Sequence, residues 1–401
     1  MNAPIKVGLI GANPGRGWAL SSHLPALLSP LCRDHLQLVA VATSREETAR
    51  KAAEKFNVAK SFAGYEGLVS DPEIDLVIVS VKLPAHYEIV RAAIDAGKHV
   101  YCEWPLGISV DEARALADRA ASSGVHTMIG LQGRQSPVLR HAAALIDSGR
   151  IGAVLSVSVV ASGFGWGAAI EEGNAYLFDK RNGATMDVIT GGHMLDALID
   201  MFGSLDQVSA ILETVRKETA IVEVEELQRF RSFGATVALP GAEVAEGGSS
   251  VIRAKQSFVP TSPDQMILQG RLGGRTLLSL HIRGGMLRAS GLLIEVTGSE
   301  GELRISGPAG VLQMMPLTLE AAWGTQTSLR PIEVPPEQDG EALAALGPVA
   351  ANIARAYRRF ADDIRSGTRT VPDFALAAQR QALLQDIAIA ASTGQRISRN
   401  D

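Results

Sequence analysis

The first 130 residues repeat one pattern: a short apolar run that does not alternate, followed by a stretch of helical periodicity with legible ends. The runs are IKVGLIG (5–11), LQLVAVA (36–42), DLVIVSV (75–81), HVYCE (99–103) and HTMIGLQ (126–132). Runs without alternation suit strands buried on both faces, and strands that lie parallel need a covering helix between them. The helix ends agree. Ser44 with Glu47, and Ser109 with Glu112, have capping-box spacing, while Gly97 and Gly124 stand where a C-terminal turn takes positive φ. Ala113, Leu116, Ala117 and Ala120 form one apolar stripe. Strand and helix alternating in this way predict an α/β fold: an N-terminal, doubly wound parallel sheet with right-handed crossovers, whose ligand binds at the carboxyl ends of the strands.

Past residue 131 the pattern changes. One more helix, Ser136 to Ile146, has Pro137 in its first turn and Gly149 after it; the strands that follow are longer and alternate. AVLSVSVVASG, QVSAILETV, QMILQGRL, TLLSLHIRG and LLIEVTG predict a C-terminal α+β domain on a mostly antiparallel open sheet, with a hairpin turn at Gly273–Gly274. Residues 216–264 show little periodicity and contain PGAEVAEGGSS, so a long excursion with a mobile tip is expected there. Helix returns from 348, and Pro372–Asp373 opens the last one. At 401 residues, two domains are the default: 1–131, and 132–401 with its C-terminal helices packing back.

A net charge of −5 gives no electrostatic reason to expect nucleic acid or an anionic membrane as partner. Cys32 and Cys102 have no metal-ligand spacing, so no metal is expected and a reduced compartment is favoured. MNAPIKVGLIGA lacks the features of a signal peptide, and no apolar run reaches the roughly 18 residues of a membrane span. The expectation is a cytoplasmic protein whose partner is a small molecule.

The loop after the first strand, Gly11, Asn13, Pro14, Gly15, Arg16, Gly17 and Trp18, lies where a dinucleotide fold brings backbone amides to a pyrophosphate. Asn13 stands where a second glycine is expected. Such a fold also ends its second strand with an acidic residue that accepts from the adenosine ribose; here the strand runs into Thr43, Ser44 and Arg45. Two hydroxyls and a guanidinium suit a 2′-phosphate, which favours NADP(H) over NAD(H). Ser44 as helix cap and Arg45 in solvent form the competing reading.

The ordered landmarks GLIGAN, SVKLPAHYE, AGKHVYCEWPLG, LQGRQSP, GGHMLDAL and EVTGSEGEL resemble the glucose-fructose oxidoreductase/inositol dehydrogenase (Gfo/Idh/MocA) family along nearly the whole chain. Within it, Gly-Trp-Ala at 17–19, Glu103-Trp104 and LQGRQSP are most like the fungal galactose-regulon repressors and their bacterial relatives. The resemblance implies a Rossmann domain, a C-terminal open sheet that often mediates dimerisation, and a nicotinamide cofactor. It adds Ser80, Val81, Lys82, His86, Glu103, Trp104, Pro105, Gln132 and Arg134 to the cofactor-binding candidates.

Departures from the family matter equally. Its enzymes have Glu-Lys-Pro where this chain has Glu103, Trp104 and Pro105, and indole has no usable acid–base pKa. The Asp usually four residues before the position of His193 is Ile189, with Asp187 six residues back. The remaining proton-handling candidates are His193, Tyr176, and Lys82 if it is partly desolvated. His23 and Asp264 read as structural. These residues support an NAD(P)-dependent oxidoreductase acting on a polyol, sugar or other hydroxy or keto compound, as a homodimer. The alternatives are a non-catalytic dinucleotide sensor and a redox-neutral lyase or hydrolase.

Overall fold

A computed structural model describes residues 3–163, 165–233, 236–241, 251–285 and 291–399. Contacts divide the chain into two units, residues 1–136 with 335–382 and residues 137–334 with 383–401. The second segment of the first unit is what separates this division from a single cut after 131.

The first unit opens with β1 (Ile5–Ile10), α1 (Trp18–Ser21), α2 (His23–Leu28), α3 (Pro30–Arg33), β2 (Leu36–Thr43) and α4 (Glu46–Phe56). It continues through β3 (Lys60–Ala63), α5 (Glu66–Ser70), β4 (Leu76–Val79), α6 (His86–Asp95), β5 (His99–Glu103), α7 (Val110–Ser123) and β6 (Thr127–Gly130). The six strands are all parallel in the order β3-β2-β1-β4-β5-β6. β4 and β6 are buried at every residue, as two covered faces require. Short β3 at the edge alternates between exposed and half-buried residues, so no apolar run announced it.

Ser109 caps α7 by accepting from the Glu112 amide at 3.2 Å, and Gly124 closes the helix at φ 70°. The box expected at Ser44 does not form. The N-cap of α4 is Arg45, no side chain caps it, and Glu47 instead pairs with Lys51 at 2.6 Å.

The second unit begins with α8 (Pro137–Asp147), β7 (Val154–Ser162), β8 (Ala169–Ile170), α9 (Met186–Phe202), β9 (Leu205–Glu213) and β10 (Thr219–Ile221). After α10 (Val224–Phe233), β11 (Thr236–Ala238), β12 (Val251–Arg253) and β13 (Gln256–Phe258) come β14 (Gln265–Leu272), β15 (Thr276–Arg283), β16 (Leu292–Gly298), β17 (Gly301–Gly307), β18 (Thr318–Trp323) and β19 (Arg330–Pro331). The chain ends with α11 (Gly340–Ala345), α12 (Gly347–Ser366) and α13 (Phe374–Thr393), then β20 (Ile397–Ser398). A nine-stranded sheet runs β19-β18-β17-β16-β7-β15-β14-β9-β20, antiparallel except where β15 meets β7. α8 and α9 pack on it. The stretch 216–264 holds more regular structure than its weak periodicity suggested, since β10, α10, β11 and β12 join β8 in a small apolar core and β13 pairs with β10. The expected mobile tip falls largely on 242–250, outside the described residues.

α12 belongs to the first unit, where Ile353, Ala354, Tyr357 and Phe360 join Leu9, Leu24 and Met128 in one core. Asp363 ends it. Its carboxylate accepts from the amides of Thr370 (2.7 Å) and Val371 (3.0 Å) and from the Thr368 and Thr370 hydroxyls. Asp264 acts similarly in the second unit, accepting from the amides of Val215 and Arg216, which fits its structural reading.

Candidate functional site

The carboxyl edge of the parallel sheet carries most of the cofactor candidates. After β1 the chain turns at Gly11, φ 98°. A Cβ there would stand 2.1 Å from the Ser80 carbonyl oxygen, so the turn admits only glycine. Asn13 serves in place of a second glycine by another device. Its Oδ1 accepts from the amides of Gly15 (2.9 Å) and Arg16 (3.2 Å), closing the loop on itself and spending both amides there. Lys55 of α4 donates to the Pro14 carbonyl oxygen at 2.6 Å and pins the loop. Gly17 and Trp18 lead into a helix that is broken at Ser22, whose hydroxyl donates to the Trp18 carbonyl oxygen.

At the tip of β2, the Thr43 hydroxyl donates to the Arg45 carbonyl oxygen at 2.9 Å and meets the Thr48 hydroxyl. Ser44 and Arg45 are exposed, and neither side chain caps α4. At the end of β4, Ser80 is buried and Val81 half-buried. Lys82 is exposed, which removes the desolvation on which its role as proton carrier rested.

His86 braces the ends of β4 and β5. Its Nε2 lies 3.1 Å from the Val81 carbonyl oxygen, and its Nδ1 lies 2.9 Å from that of Pro105. Burial lowers its pKa against those two carbonyls and Glu103, so the ring is neutral and donates to one of them only. Trp104 is 5% exposed, and its peptide bond to Pro105 is cis. The amides of Leu106 (3.1 Å) and Gly107 (3.3 Å) both donate to Gln381 Oε1 of α13, and Gln381 returns a bond to the Gly107 carbonyl oxygen at 2.8 Å. Gln381 was missed in the sequence, where 274 positions separate it from Gly107.

Glu103 anchors a buried polar cluster. It accepts from the Tyr101 hydroxyl (3.0 Å) and from Gln132 Nε2 (2.9 and 3.0 Å), and it lies 2.9 Å from His23 Nε2. The other nitrogen of His23 meets the Tyr357 hydroxyl. Burial opposes the charge on Glu103, but the hydrogen bond and charge of His23, then hydrogen bonds from Gln132 and Tyr101, outweigh it and hold the carboxyl below the ordinary glutamate range. His23 is therefore structural in the sense expected, yet it supports a cofactor candidate. Arg134, half-buried, lies in the short turn Gln132–Gln135.

Trp18 Nε1, Ser80 Oγ and Gln132 Oε1 are among the buried polar atoms at this edge with no hydrogen-bond partner among the described residues. Buried orphans are rare in proteins, and a ligand with amide, hydroxyl and phosphate groups would satisfy them. With the tight turn at Gly11, they fit a dinucleotide.

In the second unit, α9 carries Asp187 and His193. Six residues on a helix separate them by about 120° around the axis, so they do not share a face. His193 is buried at 7% exposure. Burial raises the Asp187 carboxyl, against a hydrogen bond from Thr185. The sequence reading set Asp187 aside on helical phase, and its burial has no sequence signal. Tyr176 lies in the turn Glu172–Phe178, and burial raises its phenol. It borders a cavity of about 440 Å³ together with Phe178, Asn182, Phe258 and Thr261. Among the described residues no group of three or more potential metal ligands occurs, and no helix is long and apolar enough to cross a membrane.

Residues 5–131 match the NAD-binding Rossmann fold of the GFO_IDH_MocA oxidoreductase family, and residues 137–238 match the C-terminal domain of Gal80p. The chain belongs to the Gfo/Idh/MocA family. It is 26% identical to the galactose/lactose metabolism regulatory protein GAL80 of Saccharomyces cerevisiae over 92% of this chain and 85% of that one. A super-repressor mutant of that yeast protein has the same fold, with a TM-score of 0.81 at 23% identity, covering 99% and 98% of the two chains. Dehydrogenase aclE of Aspergillus oryzae is 27% identical over 82% of this chain and 84% of its own. A levoglucosan dehydrogenase solved with NADH and L-sorbose shares the fold at a TM-score of 0.79 and 20% identity, with full coverage of both chains. Regulators and dehydrogenases thus both stand among the relatives.

Proposed function

We propose that the chain is an NAD(P)-dependent oxidoreductase acting on a polyol, sugar or other hydroxy or keto compound. The observation that carries this reading is the carboxyl edge of the parallel sheet, where a turn that admits only glycine and buried polar atoms without partners fit a dinucleotide; in the second unit, burial raises the Asp187 carboxyl. A bound dinucleotide supplies hydride chemistry at nicotinamide C4. The protein's part is to hold and move the proton: His193 takes it from the substrate hydroxyl, and the Tyr176 phenol donates to a substrate oxygen. The cavity beside Tyr176 falls within the size range of small-molecule sites.

One observation favours a second reading, a non-catalytic dinucleotide sensor: Trp104 occupies the position of the family's lysine and is buried there. A panel of polyols, glycosides and hydroxy acids, scored by nicotinamide absorbance with product analysis, separates the two and also detects a redox-neutral lyase or hydrolase. Turnover of any panel member supports the enzyme reading, and saturable cofactor binding with no turnover supports the sensor.

NADP(H) is proposed over NAD(H). Ser44 and Arg45 are both exposed and released from capping, and Glu47 is engaged by Lys51. A homodimer through the nine-stranded sheet is also proposed. Register places Ile211, Ile267, His281, Val160 and Leu293 in one row across five strands, and Ile211 is 56% exposed. Such a row seeks a cover. Light scattering at micromolar concentration should give twice the chain mass, and a strict monomer would remove this claim.

A further inference from the structure

We propose that Glu103, backed by His23 and Tyr357, makes the chain bind the oxidised nicotinamide dinucleotide in preference to the reduced one. This rests on the dinucleotide reading above and adds a charge selectivity to it. In a sheet of order β3-β2-β1-β4-β5-β6, the half formed by β4, β5 and β6 receives the nicotinamide end, and Glu103 closes β5. Its carboxylate is the anion of a cluster drawn from four elements: Tyr101 on β5, His23 on α2, Tyr357 on α12 and Gln132 after β6. One proton arrangement satisfies every contact within it. The Tyr357 hydroxyl donates to His23 Nδ1, His23 Nε2–H donates to Glu103, and Gln132 and Tyr101 donate to the same carboxylate. With that tautomer the imidazole carries no charge, and the Glu103 carboxylate is the cluster's one anion.

The charge is also fixed in place. A Cβ on Gly130 would come within 2.8 Å of Glu103 Oε2 and 3.0 Å of Gln132 Nε2, so the absent side chain leaves the space that both groups fill. The Glu103 side chain is 12% exposed, and His23 and Tyr357 are fully buried. An anion in such surroundings is weakly screened. The oxidised nicotinamide ring carries a positive charge and the reduced ring none, while the remaining atoms of the two dinucleotides offer the same contacts. The carboxylate therefore stabilises the oxidised form selectively, by about 10-fold to 100-fold for charges several ångströms apart in a partly screened interior. His23 and Tyr357 act as positioning residues, holding the anion without cancelling it.

The test is calorimetric titration of the full chain with NADP+, NADPH, NAD+, NADH, ADP-ribose and 2′-phospho-ADP-ribose. The wild type should bind the oxidised member of the preferred pair more tightly by at least about 10-fold. Glu103→Gln should bring that ratio close to one while leaving affinity for the ribose fragments unchanged. Tyr357→Phe takes away the donor to His23 Nδ1 and should lower the ratio, by less than Glu103→Gln does. A wild type that binds both forms equally, or the reduced form more tightly, overturns the proposal by itself and does so whether or not the variants fold. An unchanged ratio in a folded Glu103→Gln does the same. If the ribose fragments bind and selectivity is missing, only this inference fails. If neither dinucleotides nor fragments bind, the dinucleotide reading itself fails.

Discussion

Replacing Gly11 by alanine tests the geometry on which the cofactor site depends. Two costs add. A residue with a side chain at φ 98° loses about 1–2 kcal/mol through the clash that disfavours left-handed backbone. Its Cβ would also lie 2.1 Å from the Ser80 carbonyl oxygen and 2.7 Å from the carbonyl carbon, both backbone atoms that no rotamer change can move. Relief requires the end of β4 to retreat, at the expense of the Ser80 amide bond to Ile10, and overpacking of this kind costs about 1–3 kcal/mol. Together these amount to about 2–5 kcal/mol, a fall in melting temperature of roughly 5–20 °C for a unit of this size. Gly15→Ala is the control, since its new Cβ meets only Asn13 Oδ1 at 3.7 Å and should shift melting by no more than about 2 °C. Thermal melts of the two variants, with NADPH titration of each, decide the matter. Gly11→Ala melting and binding like the wild type would refute the reasoning.

Asp363→Ala strands the amides of Thr370 and Val371, and the urea midpoint should report a loss of about 3 kcal/mol. Below neutral pH the first unit should weaken through His99, whose Nδ1 accepts from the His126 amide at 3.0 Å and whose pKa is lowered to about 4 by burial, then by His126. The unfolded ring takes its proton near pH 6.5 and the folded ring only near 4, so stability is full above 6.5 and falls as pH drops between the two. Discounted for partial exposure, the loss is about 1–2 kcal/mol, and His99→Gln should flatten that part of the urea-midpoint profile. If His193 is the general base, His193→Ala should cut turnover by about 10²-fold to 10⁴-fold while dinucleotide affinity stays within about 3-fold, read by steady-state kinetics and titration.

Much of the parallel sheet was legible because strands covered on both faces need continuous apolar runs, and β1, β2, β4, β5 and β6 have them. β3 was not, since an edge strand of four residues with half its side chains exposed leaves no such run. Caps were legible only where the backbone used them. Ser109 and Ser44 head the same spacing, yet one accepts its hydrogen bond and the other yields the cap position to Arg45. Gln381 escaped notice, and Asp187 was set aside on helical phase, for another reason. One acts on residues far away in sequence, and the other owes its perturbed carboxyl to burial, so neither carries a local pattern. Ile189 and Trp104 were plain from the start as departures from the family pattern, and they pose the same question in the folded chain.

The most direct test of the account is titration of the chain with NADPH and NADH, followed by nicotinamide fluorescence, with Arg45→Ala alongside. The account predicts saturable binding of one dinucleotide per chain. NADPH should bind more tightly than NADH by about 10-fold to 100-fold, the worth of a charge-assisted pair, and most of that difference should vanish in Arg45→Ala. Equal or tighter NADH binding that ignores the substitution would contradict the NADP(H) assignment. Absence of saturable binding by either would contradict the dinucleotide site itself.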